Sequence, residues 1–178
     1  MTIEIVVAHD KNRVIGNEGE IPWKRRYEDM THFRRLTTGH AVLMGRKTWE
    51  SIPERFKPLE QRKNIIVSKT PINFDFERKI DFDKVCARTC LYDVLSEWKK
   101  HNNENRLFII GGQSIYEQSL GIDNYDESAH KIVDTIHVSL IDGEHDGDTF
   151  FPVLPICWRP VKCEAYDTFT YIKYERKK

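Results

Sequence analysis

Short apolar runs rich in β-branched residues alternate along this chain with segments of helical period. That alternation constrains the fold more than any other feature. Ile3 to Ala8, Ala41 to Met44, Asn64 to Val67, Leu107 to Ile110 and Thr135 to Leu140 read as buried strands. Between them, Leu91, Val94, Leu95 and Trp98 recur at the spacing of one helical face. Tyr27 to Thr37 reads as a helix after Ile21-Pro22-Trp23, and Ser114 to Leu120 as one that opens just after a Gly-Gly pair. Strands separated by crossover helices imply a largely parallel sheet covered on both sides. Lys162 to Tyr166 and Thr170 to Glu175 look like a closing antiparallel hairpin. The expected fold class is α/β: a single domain over residues 1–178, an open, mostly parallel twisted sheet with helices on both faces and a C-terminal antiparallel hairpin. Ligands of such sheets sit at the carboxyl ends of the strands. Attention therefore falls on the loop after Ala8, the segments after Met44 and Val67, and the turn after Ile110.

Bulk properties narrow the function. A chain of 178 residues suits one full-sized core. Lys+Arg and Asp+Glu both number 28, and this balance argues against a dedicated nucleic-acid binder. No apolar run reaches the length of a membrane span, and the N-terminus lacks a basic region followed by an apolar stretch, so a cytoplasmic protein without membrane attachment is expected. Cys86, Cys90, Cys157 and Cys163 lack the paired spacing of a zinc site, and no metal site is expected. Two disulfides fit their spacing, but without a secretion signal free thiols are the expectation.

One carboxylate stands on the wrong face. At about 100° per residue, Asp29, Phe33 and Leu36 fall in a narrow arc with Met30 at its edge, and that arc is apolar, whereas Glu28 points away from it. An unpaired buried carboxylate is costly. Asp29 is therefore a first-turn charge that stabilises the helix N-terminus, half of a salt bridge, or a ligand contact.

Several ordered blocks bear on that choice. Ala8-His9-Asp10-Lys11-Asn12-Arg13-Val14-Ile15-Gly16 resembles the end of the first strand and the start of the mobile active-site loop of the dihydrofolate reductases. Ile21-Pro22-Trp23, with Asp29 six residues after the Trp, resembles that loop's signature and the acid that follows it. Met44 to Pro53 (MGRKTWESIP), Arg62 to Ser68 (RKNIIVS), Ile110-Gly111-Gly112 with Tyr116, and Gly147 to Pro152 (GDTFFP) are similar to further family segments in the same order. The resemblance implies reduction of 7,8-dihydrofolate by NADPH, with hydride moving to C6 and a proton to N5. It also implies antifolate binding; a monomer is expected.

The site residues follow from the resemblance, with physical reasons beside them. Asp29 is expected to accept both parallel donors of the pterin, its 2-amino group and N3, with charge-assisted strength. Ser139 falls where the family has a Thr that supports this carboxylate. Trp23 and Ser139 complete the catalytic set with Asp29. Val6, Val7, Ala8, Met30, Phe33, Ile52 and Leu59 are the expected apolar walls, although each would serve equally as plain core. Arg62 is expected to grip the α-carboxylate of the folate glutamate with two parallel N–H groups; its plain reading is a solvated arginine beside Lys63. The family's usual Leu-Pro-Gly-Arg is Leu59-Glu60-Gln61-Arg62 here, so the bend before Arg62 is expected to differ.

For the cofactor, Gly45, Arg46, Lys47 and Thr48 are expected to open a helix against phosphate groups. Arg46, Lys47 and Lys69, beside Ser68, are candidates for the 2′-phosphate that separates NADPH from NADH, or an ordinary basic rim. Ile110, Gly111 and Gly112 resemble the family's close-approach turn, which carries a cis peptide, followed by Gln113, Ser114, Ile115 and Tyr116 at the next helix. Ala8, Ile15 and Gly16, with Asn17, Glu18, Gly19, Ile21 and Trp23, are expected to form the loop over the nicotinamide. Asp148 is a candidate to hold that loop shut. A related reductase acting on a ribosylated pyrimidine would need neither Arg62 nor Asp29 in this arrangement. A binding protein without catalysis would need neither loop nor carboxylate. Residues 71–106 and 121–133 match no familiar block.

Overall fold

A computed structural model describes residues 2–23, 27–72, 84–101, 106–122 and 132–177. Within the two unfamiliar stretches, residues 73–83, 102–105 and 123–131 lie outside the described residues. The elements run β1 (Ile3–His9), β2 (Val14–Gly16), α1 (Tyr27–Thr37), β3 (Ala41–Gly45), α2 (Arg46–Ser51), a 3-10 turn (Glu54–Phe56), β4 (Lys63–Val67), β5 (Val85–Arg88), α3 (Leu91–His101), β6 (Leu107–Ile109), α4 (Gln113–Ser119), β7 (Thr135–Ile141), β8 (Thr149–Phe150), β9 (Trp158–Ala165) and β10 (Phe169–Arg176).

Eight strands form one sheet in the order β5-β4-β3-β6-β1-β7-β10-β9, and β2 with β8 makes a separate small ribbon. From β5 across to β7 the pairing is parallel; β10 and β9 then close the sheet antiparallel. This is the α/β architecture expected. The hairpin is longer than its sequence signal, because apolar alternation fades toward its exposed ends while the hydrogen-bond ladder continues. The edge strand β5 escaped the sequence reading, and α4 opens one residue earlier than expected, at Gln113.

Side-chain alternation sorts the core into two layers. Ile3, Ile5 and Val7 of β1 face one side, where Leu91, Val94, Leu95 and Trp98 of α3 and Ile115 and Tyr116 of α4 cover them. Val6, Val42, Met44, Ile66 and Phe108 face the other side, under Trp49 of α2 and Phe33 and Leu36 of α1. Trp23, Ile141, Phe169 and Tyr171 gather beside Ala8 in a third cluster. The helices carry charges that suit their ends. Glu28 and Asp29 open α1 and Arg34 and Arg35 close it; Asp93 opens α3 and Lys99, Lys100 and His101 close it. No helix among the described residues is long and apolar enough to cross a membrane. All four cysteines are free thiols.

Candidate active site

Asp29 is 8% exposed in the first turn of α1. The helix places it one turn before His32 and Phe33, above the face of the sheet that carries Val6, Ala8 and Ser139. Phe33, Ile52 and Leu59 lean on the Val6 cluster as half-buried residues, while Ala8 packs with Trp23, Phe169 and Tyr171. Val6, Phe33, Ile52 and Leu59 thus share one cluster and Ala8 belongs to another. Two members of the expected wall fall elsewhere. Val7 faces the α3–α4 layer, because neighbouring strand residues point to opposite faces. Met30 is 45% exposed, a full helical step away from the buried arc. His32 occupies that arc instead, buried against Phe169 and Tyr171. The arithmetic that singled out Asp29 also marks His32, but a histidine carries no hydrophobic signal.

Arg62 is buried at 8% exposure, not solvated beside Lys63. Its Nη1 donates to Thr37 Oγ1 at 3.0 Å, its Nε donates to the Glu60 carbonyl at 3.0 Å, and its guanidinium lies 5.7 Å from the Phe33 ring centroid. Those two bonds hold the planar head against the wall opened by Phe33. Burial, followed by the nearby charge of Arg34, lowers its pKa from the ordinary value. At the bend before it, Gln61 adopts φ 55°. That left-handed conformation suits glycine, so Gln61 holds it at the expense of strain.

A second group of residues gathers at the carboxyl ends of β3, β4, β5 and β6. The Gly111–Gly112 peptide is cis, as the resemblance implied, and Gly111 has φ 120°. A Cβ on Gly112 would lie 3.1 Å from Thr48 Oγ1, and one on Gly45 would lie 3.0 Å from Ile115 Cγ1. Gly45 N–H donates to the Gly111 carbonyl at 2.8 Å, joining the two turns. Here bare backbone approaches a space that any side chain would narrow. Beside it, Ser68, Lys69, Thr70, Ala87, Arg88 and Thr89 line a cleft of about 350 Å³ together with Pro71 and Ile72. Arg88 and Thr89 were missed because β5 falls in a stretch with no familiar motif; the pairing of β5 with β4, which sets Arg88 opposite Val67, is what tertiary structure supplies.

Three expected cofactor residues are engaged within the protein. Arg46 donates from Nη1 to both oxygens of Glu50, at 2.8 and 2.9 Å. Gln113 donates to Glu117 and accepts from Phe150 N–H. Tyr116 is buried and donates to the Val6 carbonyl at 2.8 Å, so its hydroxyl ties α4 to β1. Burial pushes that phenol well up from its ordinary pKa. Lys47 and Lys69 are exposed, Ser114 is exposed at the start of α4, and Ile110 leans on the Val6 cluster.

The loop after β1 is clasped by the segment between β7 and β8. Asp10, with no exposed surface, accepts from the backbone N–H of Asn12, Val14 and His145 at 2.9, 3.0 and 2.8 Å. Burial pushes its pKa up, but these bonds outweigh it and hold the carboxyl below its ordinary value. The His145 ring stands edge-on to Trp23 at 5.4 Å. Asp148 N–H donates to the Gly16 carbonyl at 3.1 Å, and its Oδ2 accepts from Glu18 N–H at 3.1 Å. Bonds from Thr149 and then Glu18 hold Asp148 below the usual carboxylate range. Ile15 leans on the α3–α4 layer. The Asp10–His145 join was missed because it is a contact between loops distant in sequence.

An acid over an apolar wall, a buried guanidinium at its far end, and a bare-backbone groove with a basic cleft can together hold a flat heterocycle against an extended anionic partner. Comparison with known proteins agrees with that arrangement. The family model described as Dihydrofolate reductase matches residues 2–176. A dihydrofolate reductase of Staphylococcus haemolyticus is 34% identical over 185 aligned positions, covering 99% of this chain and 96% of the relative. Dihydrofolate reductases of Staphylococcus aureus are 36% identical over 152 residues or 37% over 153, covering 85% of this chain and 79% of those relatives.

Proposed function

The chain belongs to the dihydrofolate reductase family, and from that membership we propose that it reduces 7,8-dihydrofolate to 5,6,7,8-tetrahydrofolate with NADPH as the nicotinamide cofactor. The observation that carries the reading is the buried Asp29 above the Val6–Ala8 face of the sheet.

Asp29 accepts the two parallel donors of the pterin and fixes the ring's orientation. Val6, Ala8, Phe33, Ile52 and Leu59 enclose the ring with side chains, Met30 covers it at the rim, and Val7 contributes backbone only. Ser139 supports the carboxylate from β7. Arg62, held flat by Thr37 and the Glu60 carbonyl, receives the α-carboxylate of the glutamate tail.

The groove fits a dinucleotide: the close approaches at Gly45 and Gly112 leave room for a pyrophosphate against backbone, and the cleft at Lys69 and Arg88 suits its adenosine end. Gly45, Thr48, Gly111, Gly112, Ser114 and Ile115 would hold the phosphates, with Gln113 and Tyr116 fixing the turn from behind. Lys47 and Lys69, with Arg46 once released from Glu50, would meet the 2′-phosphate, and Arg88 joins them. When bound, the nicotinamide supplies the hydride that C6 receives.

Ala8, Ile15, Gly16 and Trp23 close over the reacting faces and exclude water, while the ionised Asp29 stabilises the pterin protonated at N5, with water delivering the proton. The single continuous sheet supports residues 1–178 as one domain, and the carboxylate over an apolar wall suits 2,4-diaminopyrimidine antifolates. The deciding experiment follows reduced cofactor absorbance on adding dihydrofolate. Rapid oxidation of NADPH and at least roughly tenfold slower use of NADH are expected, the latter corresponding to about 1.4 kcal/mol of phosphate recognition. No consumption with either cofactor would sink the reading.

A further inference from the structure

Beneath α1, the buried side chains of Glu4, His137 and Tyr171 and the half-buried Arg106 join across the sheet, and the site above uses none of them. Glu4 of β1 is 4% exposed in an otherwise apolar strand. Its Oε1 accepts from Thr2 Oγ1 at 2.6 Å and from Arg106 Nε at 2.8 Å; its Oε2 accepts from Arg106 Nη2 at 2.5 Å and from His137 Nε2 at 2.6 Å. Burial by itself pushes the carboxyl up, but the bonds from His137, Arg106 and Thr2 outweigh it and hold Glu4 well below the usual range. An ionised carboxylate only accepts, so the proton of His137 sits on Nε2. The other nitrogen, Nδ1, lies 2.7 Å from the Tyr171 hydroxyl. Burial pushes the Tyr171 phenol up to about 12, which keeps its hydroxyl protonated. The bonds form one unbroken row from Tyr171 through His137 to Glu4.

Strand register sets this row directly under the candidate site. His137 lies opposite Val6, and Tyr171 lies opposite Ser139, which in turn lies opposite Ala8. From above, the His32 ring rests on Tyr171 with centroids 4.5 Å apart. His32 is three residues after Asp29 on the same buried face of α1. Arg35 Nη2 lies 3.2 Å from His32 Nδ1; a guanidinium only donates, so Nδ1 accepts and the proton of the neutral ring is on Nε2. Burial first, then the charge of Arg35, lowers His32 to about 4, so the ring is neutral at neutral pH. Glu164 and Lys162 of β9 also face it. Nε2 has no hydrogen-bond partner among the described residues, so packing on Tyr171 is a main restraint on this ring.

Buried ionic sets are weak sources of net stability, and apolar side chains of similar volume serve a sheet as well. What this one adds is orientation. We propose that Glu4, His137 and Tyr171 are positioning residues for Asp29: they fix the Tyr171 ring, His32 rests on it, and the turn of α1 that carries the carboxylate is set by that contact. The proposal rests on Asp29 as the pterin anchor.

Tyr171→Phe keeps the ring and deletes the hydroxyl; His32→Phe keeps a ring over it. The test measures single-turnover hydride transfer against pH for both variants, their double mutant and the unaltered protein. In parallel, binding of a 2,4-diaminopyrimidine to cofactor-free protein is followed against pH as a direct report on the Asp29 carboxylate. Tyr171→Phe is expected to slow hydride transfer about fivefold at neutral pH and to move the midpoints of both profiles by about half a unit, with less than about a twofold change in KM, and the double mutant to be no worse than the poorer single, as for residues acting in one chain. Unmoved midpoints with only a lower melting temperature would make the network purely structural and overturn the proposal, as would effects that multiply in the double mutant. If Tyr171→Phe does not fold, the His32→Phe midpoints alone decide. An unaltered protein inactive on dihydrofolate would instead overturn the functional reading.

Discussion

Asp29, His32 and Glu4 show how single side chains acquire meaning from where the fold puts them. Periodicity alone left Asp29 between a helix-terminus charge, half of a salt bridge and a ligand contact; the structure buries it in the first turn of α1, and the ligand contact is the role proposed above. Asp29→Asn keeps the shape and removes the charge proposed to stabilise a proton on the pterin. Hydride transfer at neutral pH is expected to fall by two or more orders of magnitude, about 3 kcal/mol or more of transition-state stabilisation, and to recover in part on acidification, when N5 is protonated from solvent. Single-turnover rates across pH check this, and an unchanged rate would remove Asp29 from the mechanism. Met30, expected at the edge of the apolar arc, is largely exposed, and His32, which carries no hydrophobic signal, is buried in that arc. Glu4 is a charge in the middle of Ile3-Glu4-Ile5, and its partners Arg106 and His137 come from distant strands.

Among the elements, the ribbon of β2 and β8 carries the loop proposed to cover the reacting faces. Gly147 is the tightest point of the clasp. A Cβ there would lie 2.3 Å from Val14 Cγ1 and 2.6 Å from the Gly16 carbonyl oxygen. A side chain can swing away, but a backbone carbonyl in the ribbon cannot. Gly147→Ala is expected to force the two loops apart, destabilising the protein by about 1–3 kcal/mol, the range for overpacking, and weakening the bond from Glu18 N–H to Asp148. Urea unfolding measures the first effect. Accelerated exchange of the Glu18 amide hydrogen with solvent measures the second, and protection equal to that of the unaltered protein would show that the clasp tolerates the methyl group. The β4–β5 pair tells the complementary story. It forms the basic cleft from two strand ends, although only β4 announced itself in sequence.

At the scale of the whole molecule, three histidines among the described residues, His32 buried and His9 and His40 half-buried, make stability depend on pH. Burial lowers His9, His32 (to about 4) and His40 below their ordinary 6.5. Between those values the unfolded chain binds protons that the folded chain refuses, so stability falls as pH drops from 6.5 toward 4 and is flat in these groups above 6.5. Glu4 and Asp10 are depressed carboxylates; their contributions are present above 4.5 and 3.8 and are lost only as pH falls further. Denaturant midpoints across this window should decline with acid, and His32→Phe should flatten part of the decline. A variant as steep as the unaltered protein would assign the slope elsewhere. The same molecule divides cleanly into what its sequence determined and what its folding decided. Strand and helix order, the parallel sheet and the charge of Asp29 on an apolar face were legible in the chain, because apolar period and turn chemistry are local properties, whereas Arg62 and the Gly111–Gly112 turn were singled out by resemblance to the family. The Glu4–His137–Tyr171 row, the Asp10–His145 clasp, the Arg88 cleft and the opposite facing of Val6 and Val7 were decided by tertiary structure. Each of the first three depends on which distant segments are brought into register, and the last on which layer covers each face of β1; residue type carries neither.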